Sequence, residues 1–138
     1  MKREILFRGK RADNGEWVYG HYFTEIGRGV AGSNDTIVYF IKDKFGTHPV
    51  IPETVGQFTG LTDKNGVKIF EGDIMAGDGE DVPNRKVEWS NNYLGYFVGL
   101  GQDVWQSPLY DVILPEVIGD IHDDLSLLNS DKEDYNEV

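Results

Sequence analysis

Three consecutive residues near the C-terminus have side chains that could support chemistry. His122 is followed directly by Asp123 and Asp124. An imidazole beside carboxylates can act as an acid–base group, or it can bind a divalent metal together with them. The same residues also suit the corner before a helix, where an Asp caps the first turn. Metal-assisted hydrolysis is therefore one hypothesis, and a helix-capping corner is the structural alternative.

Two other acidic segments resemble cation sites. One is a polar loop with acidic residues at positions 78, 80 and 81, whose carboxylate oxygens could collect a divalent ion. The other begins at Asp63 and resembles the start of an EF-hand loop, but Lys68 and Ile74 stand where that loop needs Gly and Glu. The second segment therefore predicts a tight hairpin turn, and we expect no bound cofactor.

The remaining motifs with chemical associations favour structural roles. Residues 27–32 match the spelling G-x-G-x-x-G, but the segment leads into a predicted strand rather than the helix that a dinucleotide site requires. His21 lies in an aromatic strand and His48 precedes Pro49, so both indicate structural histidines. The chain has no Cys, which excludes disulfides, thiolate zinc sites and a cysteine nucleophile.

Charge is distributed unevenly along the 138 residues. The formal net charge is −11, yet residues 1–70 hold 10 Lys and Arg against 8 Asp and Glu, while residues 71–138 hold 3 against 16. This asymmetry has two interpretations: the last ten residues form a solvated acidic tail, or the basic end of one copy docks on the acidic end of another. The total charge repels phosphates, but the basic start and five strand aromatics keep nucleic-acid binding open. Those aromatics are Trp17, Tyr19, Tyr22, Tyr39 and Phe40.

The elements that must position these residues are short strands. Alternating apolar and polar residues between turn signals predict a mainly β fold, a β-dominated member of the α+β class. Tight turns are predicted at 13–15 and 62–66, and a helical turn at 123–128. Strands are predicted at 4–8, 16–23, 36–41, 67–70, 73–75, 85–89, 93–99, 110–114 and 116–121, with an edge strand near 50–51.

Length and composition limit the class of protein. Hydrophobic residues make up 39% and aromatics 12%, which is enough apolar surface for a folded core. No apolar run approaches the ~18 residues that a membrane span needs. We therefore expect a cytoplasmic bacterial protein that does not contact membranes.

One long segment resembles a known family. Residues 50–61 read V-I-P-E-T-V-G-Q-F-T-G-L and run into T-D-K-N-G-V-K-I-F-E-G-D-I at 62–74. This resembles the YopX family of phage and prophage proteins, and residues 3–9 and 116–123 agree with it. The family has Asn at the places of Asp120 and Asp124 and a Pro soon after, so the closing turn departs from its pattern. The resemblance implies a small, β-rich, phage-encoded protein without an assigned activity.

The combined expectation is a binding protein rather than an enzyme. We predict an N-terminal β-subdomain at 1–50, an SH3-like barrel with a closing helical turn at 51–128, and an acidic tail at 129–138. We expect a non-enzymatic accessory protein that forms homo-oligomers and contacts a phage or host protein. The core of the family signature is predicted to include Phe58, Leu61, Ile69, Phe70 and Ile74. The predicted interaction residues are Lys2, Arg3, Arg8, Lys10, Arg11, Glu53, Gln57, Glu71 and Asp73.

Overall fold

The computed structural model describes residues 4–29, 31, 34–77, 82–100, 107–109 and 116–128. The chain divides into two compact units, residues 1–58 and 59–138. Both units are built from antiparallel strands, which confirms the mainly β prediction. The domain boundaries predicted from the sequence stay a prediction. Within the described residues, no helix is long and apolar enough to cross a membrane.

The first unit is an antiparallel sheet with the order β4-β3-β2-β1-β5. The chain leaves this unit within β5, whose first residues pair with β1. Gly15 has a φ of 74°, which confirms the predicted turn before β2. The strands are β1 (Phe7–Lys10), β2 (Trp17–Gly27), β3 (Thr36–Asp43), β4 (Gly46–Pro49) and β5 (Gly56–Thr62).

Two details of the first unit differ from the predictions. The edge strand lies at 46–49 rather than near 50–51, and Val50 forms an isolated bridge with Arg11. In the turn before this strand, the Asp43 carboxylate accepts a 2.8 Å hydrogen bond from the Phe45 amide. Pro52–Thr54 then form a 3-10 turn. Strand β5 was not predicted, since its Gly and Thr residues hide the alternation.

The first core lies on one face of this sheet. Val18 and Ile41 are buried there with Val50, and the partly buried side chains of Phe7, Tyr22, Tyr39 and Val55 pack around them. Successive residues of a strand point to opposite faces. The core therefore takes Val18 and Tyr22 from β2 and leaves Trp17 and Tyr19 on the other face.

A buried hydroxyl fastens β1 to the 3-10 turn. Thr54 Oγ1 accepts a 2.8 Å hydrogen bond from the Lys10 amide and donates a 2.6 Å bond to the Ile51 carbonyl. We expect Thr54→Val to lower the free energy of unfolding by about 1–2 kcal/mol, because it leaves a buried donor without its acceptor. Urea unfolding measures this, with the exposed Thr47→Val as control. An equal effect of both substitutions would contradict the role of Thr54.

The second unit contains an open sheet with the order β10-β9-β8-β7-β11. Strand β6 (Lys68–Phe70) lies beside the last residues of β5, where Thr59 Oγ1 donates to the Ile69 carbonyl at 2.8 Å. Closure into an SH3-like barrel is not seen in the described residues. The other strands are β7 (Asp73–Met75), β8 (Arg85–Ser90), β9 (Gly95–Gly99), β10 (Ser107–Pro108) and β11 (Val117–Asp120).

The second core is assembled from these strands. Ile69, Met75, Val87, Val98 and Leu109 are each at most 3% exposed and form one cluster. Of the residues predicted as core, Phe58, Ile69, Phe70 and Ile74 are buried. Leu61 is 39% exposed, so that prediction was wrong.

The C-terminal predictions have mixed outcomes. Residues 126–128 are helical, which agrees with the predicted closing turn. The predicted strand at 110–114 and the acidic tail at 129–138 lie outside the described residues.

Candidate functional site

The basic residues of β1 surround an aromatic ring. The Arg8 guanidinium lies 4.6 Å from the centre of the Trp17 ring, and Lys10 Nζ lies 5.4 Å from it. Arg8 is only 6% exposed, and its guanidinium lies against this indole. A cation over an indole face is attracted by the ring quadrupole. The predicted residues Arg8 and Lys10 therefore lie together, whereas Lys2 and Arg3 lie outside the described residues.

The other predicted residues of the first unit are dispersed. Arg11 forms two hydrogen bonds with Asp13, at 3.0 and 2.7 Å, and these bonds hold the pKa of Asp13 below its usual value. Glu53 is exposed on the 3-10 turn. Gln57 pairs with Phe7, so it lies on the opposite face of the sheet from Arg8.

In the second unit, Glu71 and Asp73 flank the turn between β6 and β7. Asp73 is 2% exposed, and its carboxylate accepts a 2.7 Å hydrogen bond from the Phe70 amide. In this position the Asp73 side chain stabilises the turn. Glu71 is partly exposed. The interaction roles of the predicted residues stay a prediction.

Asp63, the first residue of the segment that resembles an EF-hand loop, joins two segments of the second unit by hydrogen bonds. Its carboxylate accepts hydrogen bonds from the amides of Asn65 (2.8 Å), Val67 (2.9 Å) and Val117 (3.1 Å). Burial by itself raises the pKa of Asp63, but the three amide bonds together lower it below the usual value. The predicted tight turn is confirmed, and Asp63 also connects it to β11.

Two carboxylates near His122 also accept hydrogen bonds from backbone amides. Asp120 Oδ1 accepts hydrogen bonds from the amides of His122 and Asp123, both at 2.9 Å, and Asp124 Oδ2 accepts one from the Asp120 amide at 3.2 Å. These contacts close a turn at residues 120–124, ahead of the helical residues 126–128, and the predicted Asp cap on the helix stays a prediction. Among the described residues, no group of three His, Asp or Glu side chains is placed to hold a metal. The loop at 78–81 lies outside the described residues.

An open groove of about 610 Å³ lies on the first unit. It combines aromatic rings with cations and lies against the part of β2 next to Trp17. Tyr19 is 46% exposed and Phe45 is 81% exposed. The lining residues are Trp17, Val18, Tyr19, Gly20, His21, Lys42, Asp43, Lys44 and Phe45.

Charged groups at one end of this groove are already arranged by hydrogen bonds and ring contacts. Asp43 Oδ1 lies 2.9 Å from His48 Nε2, and this hydrogen bond contributes most to holding the pKa of Asp43 low. Lys44 Nζ lies 5.1 Å from the centre of the Phe45 ring. The Asp43 carboxylate therefore stays negatively charged between Lys42 and Lys44, and its Oδ1 is held by His48 and the Phe45 amide.

The strand aromatics that the sequence grouped together lie on two faces. Tyr22 and Tyr39 stack at 6.5 Å on the core face, whereas Trp17, Tyr19 and Phe40 belong to the opposite face. Phe40 stacks there with Phe23, at 5.3 Å between ring centres. The sequence did not indicate Lys42, Lys44 or Phe45 as part of a surface, because they meet Trp17 only through the β3–β4 hairpin.

A second exposed surface lies at the far end of the β2–β3 hairpin. Ile26 and Ile37 are cross-strand partners and are 67% and 60% exposed. In the described pairing, β1 reaches β2 only up to Gly20, and β4 reaches β3 only from Phe40. The distal hairpin, defined as residues 24–27 and 36–39, is therefore a two-stranded ribbon with an exposed apolar pair.

Comparison with known protein families identifies the family to which this chain belongs. A family model described as YopX protein matches residues 6–129. The chain belongs to the YopX family. The resemblance carried by residues 50–74 is thereby confirmed, and these are the residues that build the Asp63 and Asp73 turns of this YopX-family chain.

A solved structure shows the same fold. The crystal structure of protein EF1440 from Enterococcus faecalis has a TM-score of 0.51 and is 23% identical, covering 92% of this chain and 99% of that one. No curated protein matches this YopX-family chain.

Proposed function

We propose that this YopX-family chain is a non-enzymatic accessory protein of a phage or prophage. It acts in the cytoplasm of the bacterial host through protein–protein contacts, and its first partner is a second copy of itself. The observation that carries the proposal is the exposed cross-strand pair of Ile26 and Ile37 on the distal hairpin. A further phage or host protein would bind the assembled form.

The distal hairpin has a physical reason to bind a partner. A two-stranded ribbon is marginally stable in water by itself and needs a packed face. Ile26 and Ile37 continue the core face of the sheet beyond Tyr22 and Tyr39, where the first unit no longer covers it. Burying an isoleucine side chain contributes about 1.5–3 kcal/mol. A second copy packed on this ribbon would bury both isoleucines and gain that free energy for each of them.

Charge supports a second copy as the occupant. Residues 1–58 hold eight Lys and Arg against seven Asp and Glu, a net charge of +1. Residues 59–138 hold five against 17, a net charge of −12. A contact that brings the first unit of one copy to the second unit of another avoids the repulsion between two acidic units. We also propose that the second unit has the architecture of an SH3-like barrel.

Sedimentation velocity tests the role of the distal hairpin. We expect the wild type to sediment as an oligomer at tens of micromolar. The double substitution Ile26→Lys and Ile37→Lys should shift it to monomer, because two ammonium groups would replace the apolar contact. Ile5→Lys, at an isoleucine of the first unit that is 61% exposed and lies outside the distal hairpin, is the matched control and should leave the oligomer intact. A monomeric wild type, or an oligomer that survives the double substitution, would contradict the proposal.

A further inference from the structure

We propose that the groove beside Trp17 binds single-stranded nucleic acid. In this arrangement the bases stack on Tyr19 and Phe45, and the backbone phosphates approach Lys42 and Lys44. The inference goes beyond the proposed function and uses a different surface from the distal hairpin. It gives this YopX-family chain a ligand class in addition to its protein partners.

The exposure of the aromatic rings supports a ligand. Tyr19 is 46% exposed and Phe45 is 81% exposed, although both line the same concave surface. Core packing explains neither ring, since the core of the first unit lies on the other face of the sheet. Every base has a π-face, and stacking on aromatic side chains is the common means of binding single strands. The two rings therefore match unpaired bases.

Lysines at the groove match the phosphates that accompany those bases. Lys42 lies at the exposed end of β3, opposite His21 on β2. Lys44 follows on the hairpin, and its ammonium group lies 5.1 Å from the centre of the Phe45 ring. Lys10 adds a third ammonium group over Trp17. Aromatic rings interleaved with cations favour a nucleic acid over an acidic peptide, whose carboxylates would leave the rings without stacking partners.

The groove also has acidic neighbours among the described residues, including the exposed Glu16 next to Trp17. Asp43 lines the groove, but its carboxylate is held by His48 at 2.9 Å and by the Phe45 amide at 2.8 Å. Glu25 lies on the same face of β2 as Tyr19, six residues farther along the strand towards the distal hairpin. The strong negative charge of the chain belongs to residues 59–138. The residues that line the groove include two lysines against Asp43, a formal net charge of +1 that is compatible with a polyanion.

The backbone of the groove is held in place by the sheet. Gly20 is the last residue of β2 paired with β1, and His21 is the first paired with β3. Trp17 is fixed from the side of β1 by Arg8 and Lys10. The platform is thus preorganised, and binding costs little ordering of the protein.

Fluorescence anisotropy with labelled oligonucleotides tests the inference. The probes are single-stranded DNA, single-stranded RNA and duplex DNA of equal length, each added to the full chain. We expect both single strands to bind and the duplex to bind more weakly, because its bases cannot reach the rings. With about three lysines contacting phosphate, the affinity for a single strand should fall roughly 10- to 20-fold between about 50 and 200 mM salt.

Substitutions separate stacking from simple attraction of a polyanion. Tyr19→Ala and Phe45→Ala should each weaken single-strand binding at least about fivefold. Lys42→Glu with Lys44→Glu should abolish it. The matched controls are Tyr93→Ala, at a ring that is 69% exposed in the second unit, and Lys68→Glu, also exposed there. Both controls should bind like the wild type.

Each contrary outcome overturns the inference. No retention of any oligonucleotide at low salt would remove the site. Binding that is lost with the lysines but unchanged by Tyr19→Ala and Phe45→Ala would show polyanion adsorption without stacking. Preference for duplex DNA would also contradict it. The Ile26→Lys and Ile37→Lys protein keeps the groove and should still bind the single strand, so failure of the oligomer and failure of this site are distinguishable.

Discussion

Replacing Asp63 by alanine is expected to lower the free energy of unfolding by about 3 kcal/mol. The carboxylate is 6% exposed and accepts hydrogen bonds from the amides of Asn65, Val67 and Val117. Hydrogen bonds to a charged group are stronger than neutral ones, and the substitution removes three acceptor contacts at once. Urea unfolding at neutral pH, followed by tryptophan fluorescence, measures the loss.

The pH dependence of the Asp63 contribution has a defined sign. The pKa of Asp63 is lower in the folded chain than its usual value of about 3.9. The carboxylate therefore stabilises the fold above the unfolded pKa, and this contribution is lost as the pH falls through the lower, folded pKa. The wild type should exceed Asp63→Asn in stability at neutral pH, and this difference should shrink in strong acid.

Asp13→Asn is the control for Asp63, since it changes a carboxylate that is exposed and bonded to Arg11. Its effect on the unfolding free energy should be much smaller. An Asp63→Ala protein as stable as Asp13→Asn would contradict the organising role of Asp63. So would a stability difference between wild type and Asp63→Asn that does not change with pH.

Gly20→Ala is expected to destabilise the first unit by about 2–4 kcal/mol. A Cβ atom at Gly20 would lie 2.1 Å from the Lys42 carbonyl oxygen and 2.9 Å from its carbon, so two strands would have to separate. Both obstructing atoms belong to the backbone, which cannot move aside as a flexible side chain can. The position therefore requires glycine because β3 approaches β2 where the latter changes partners.

Gly95→Ala is the matched control, because the nearest atoms to an added Cβ there are 3.9 and 4.0 Å away. Thermal melts of both variants provide the comparison, and the Gly95 variant should melt close to the wild type. Similar melting temperatures for both variants would contradict the close approach at Gly20. The Gly20 variant should also bind single strands less well, since its substitution displaces the Lys42 backbone.

The sequence predicted the local elements well where alternation was strong. Residues 36–41 gave β3, residues 73–75 gave β7, and the turn at Asp63 formed as expected. Strand β5 was missed because two Gly and two Thr residues interrupt its apolar pattern. Leu61 was wrongly expected in the core because only a tertiary contact decides which face of a short strand is covered.

Less of the candidate site could be predicted from the sequence. Arg8 and Lys10 could be identified as basic residues, but their common target, Trp17, follows from the register of β1 with β2. Phe45 carried no signal of its own, since a single aromatic in a Lys-Phe-Gly turn is unremarkable. Long-range pairing brings these residues together, and periodicity reports only local structure.

Backbone requirements explain most of the family signature. The polar residues Asp63 and Asp73 accept hydrogen bonds from main-chain amides, and Phe70 and Ile74 are buried. The surfaces proposed here for binding lie outside residues 50–74. A search guided by the signature would therefore lead to residues that hold the fold together.

We propose above all that a second copy of the chain covers the distal hairpin. Hydrogen–deuterium exchange, measured at protein concentrations below and above association, tests it directly. We expect amides in residues 24–27 and 36–39 to exchange more slowly at high concentration, while those of residues 85–90 in β8 do not change. Exchange in the distal hairpin that is fast and independent of concentration, in a protein that does associate, would contradict it.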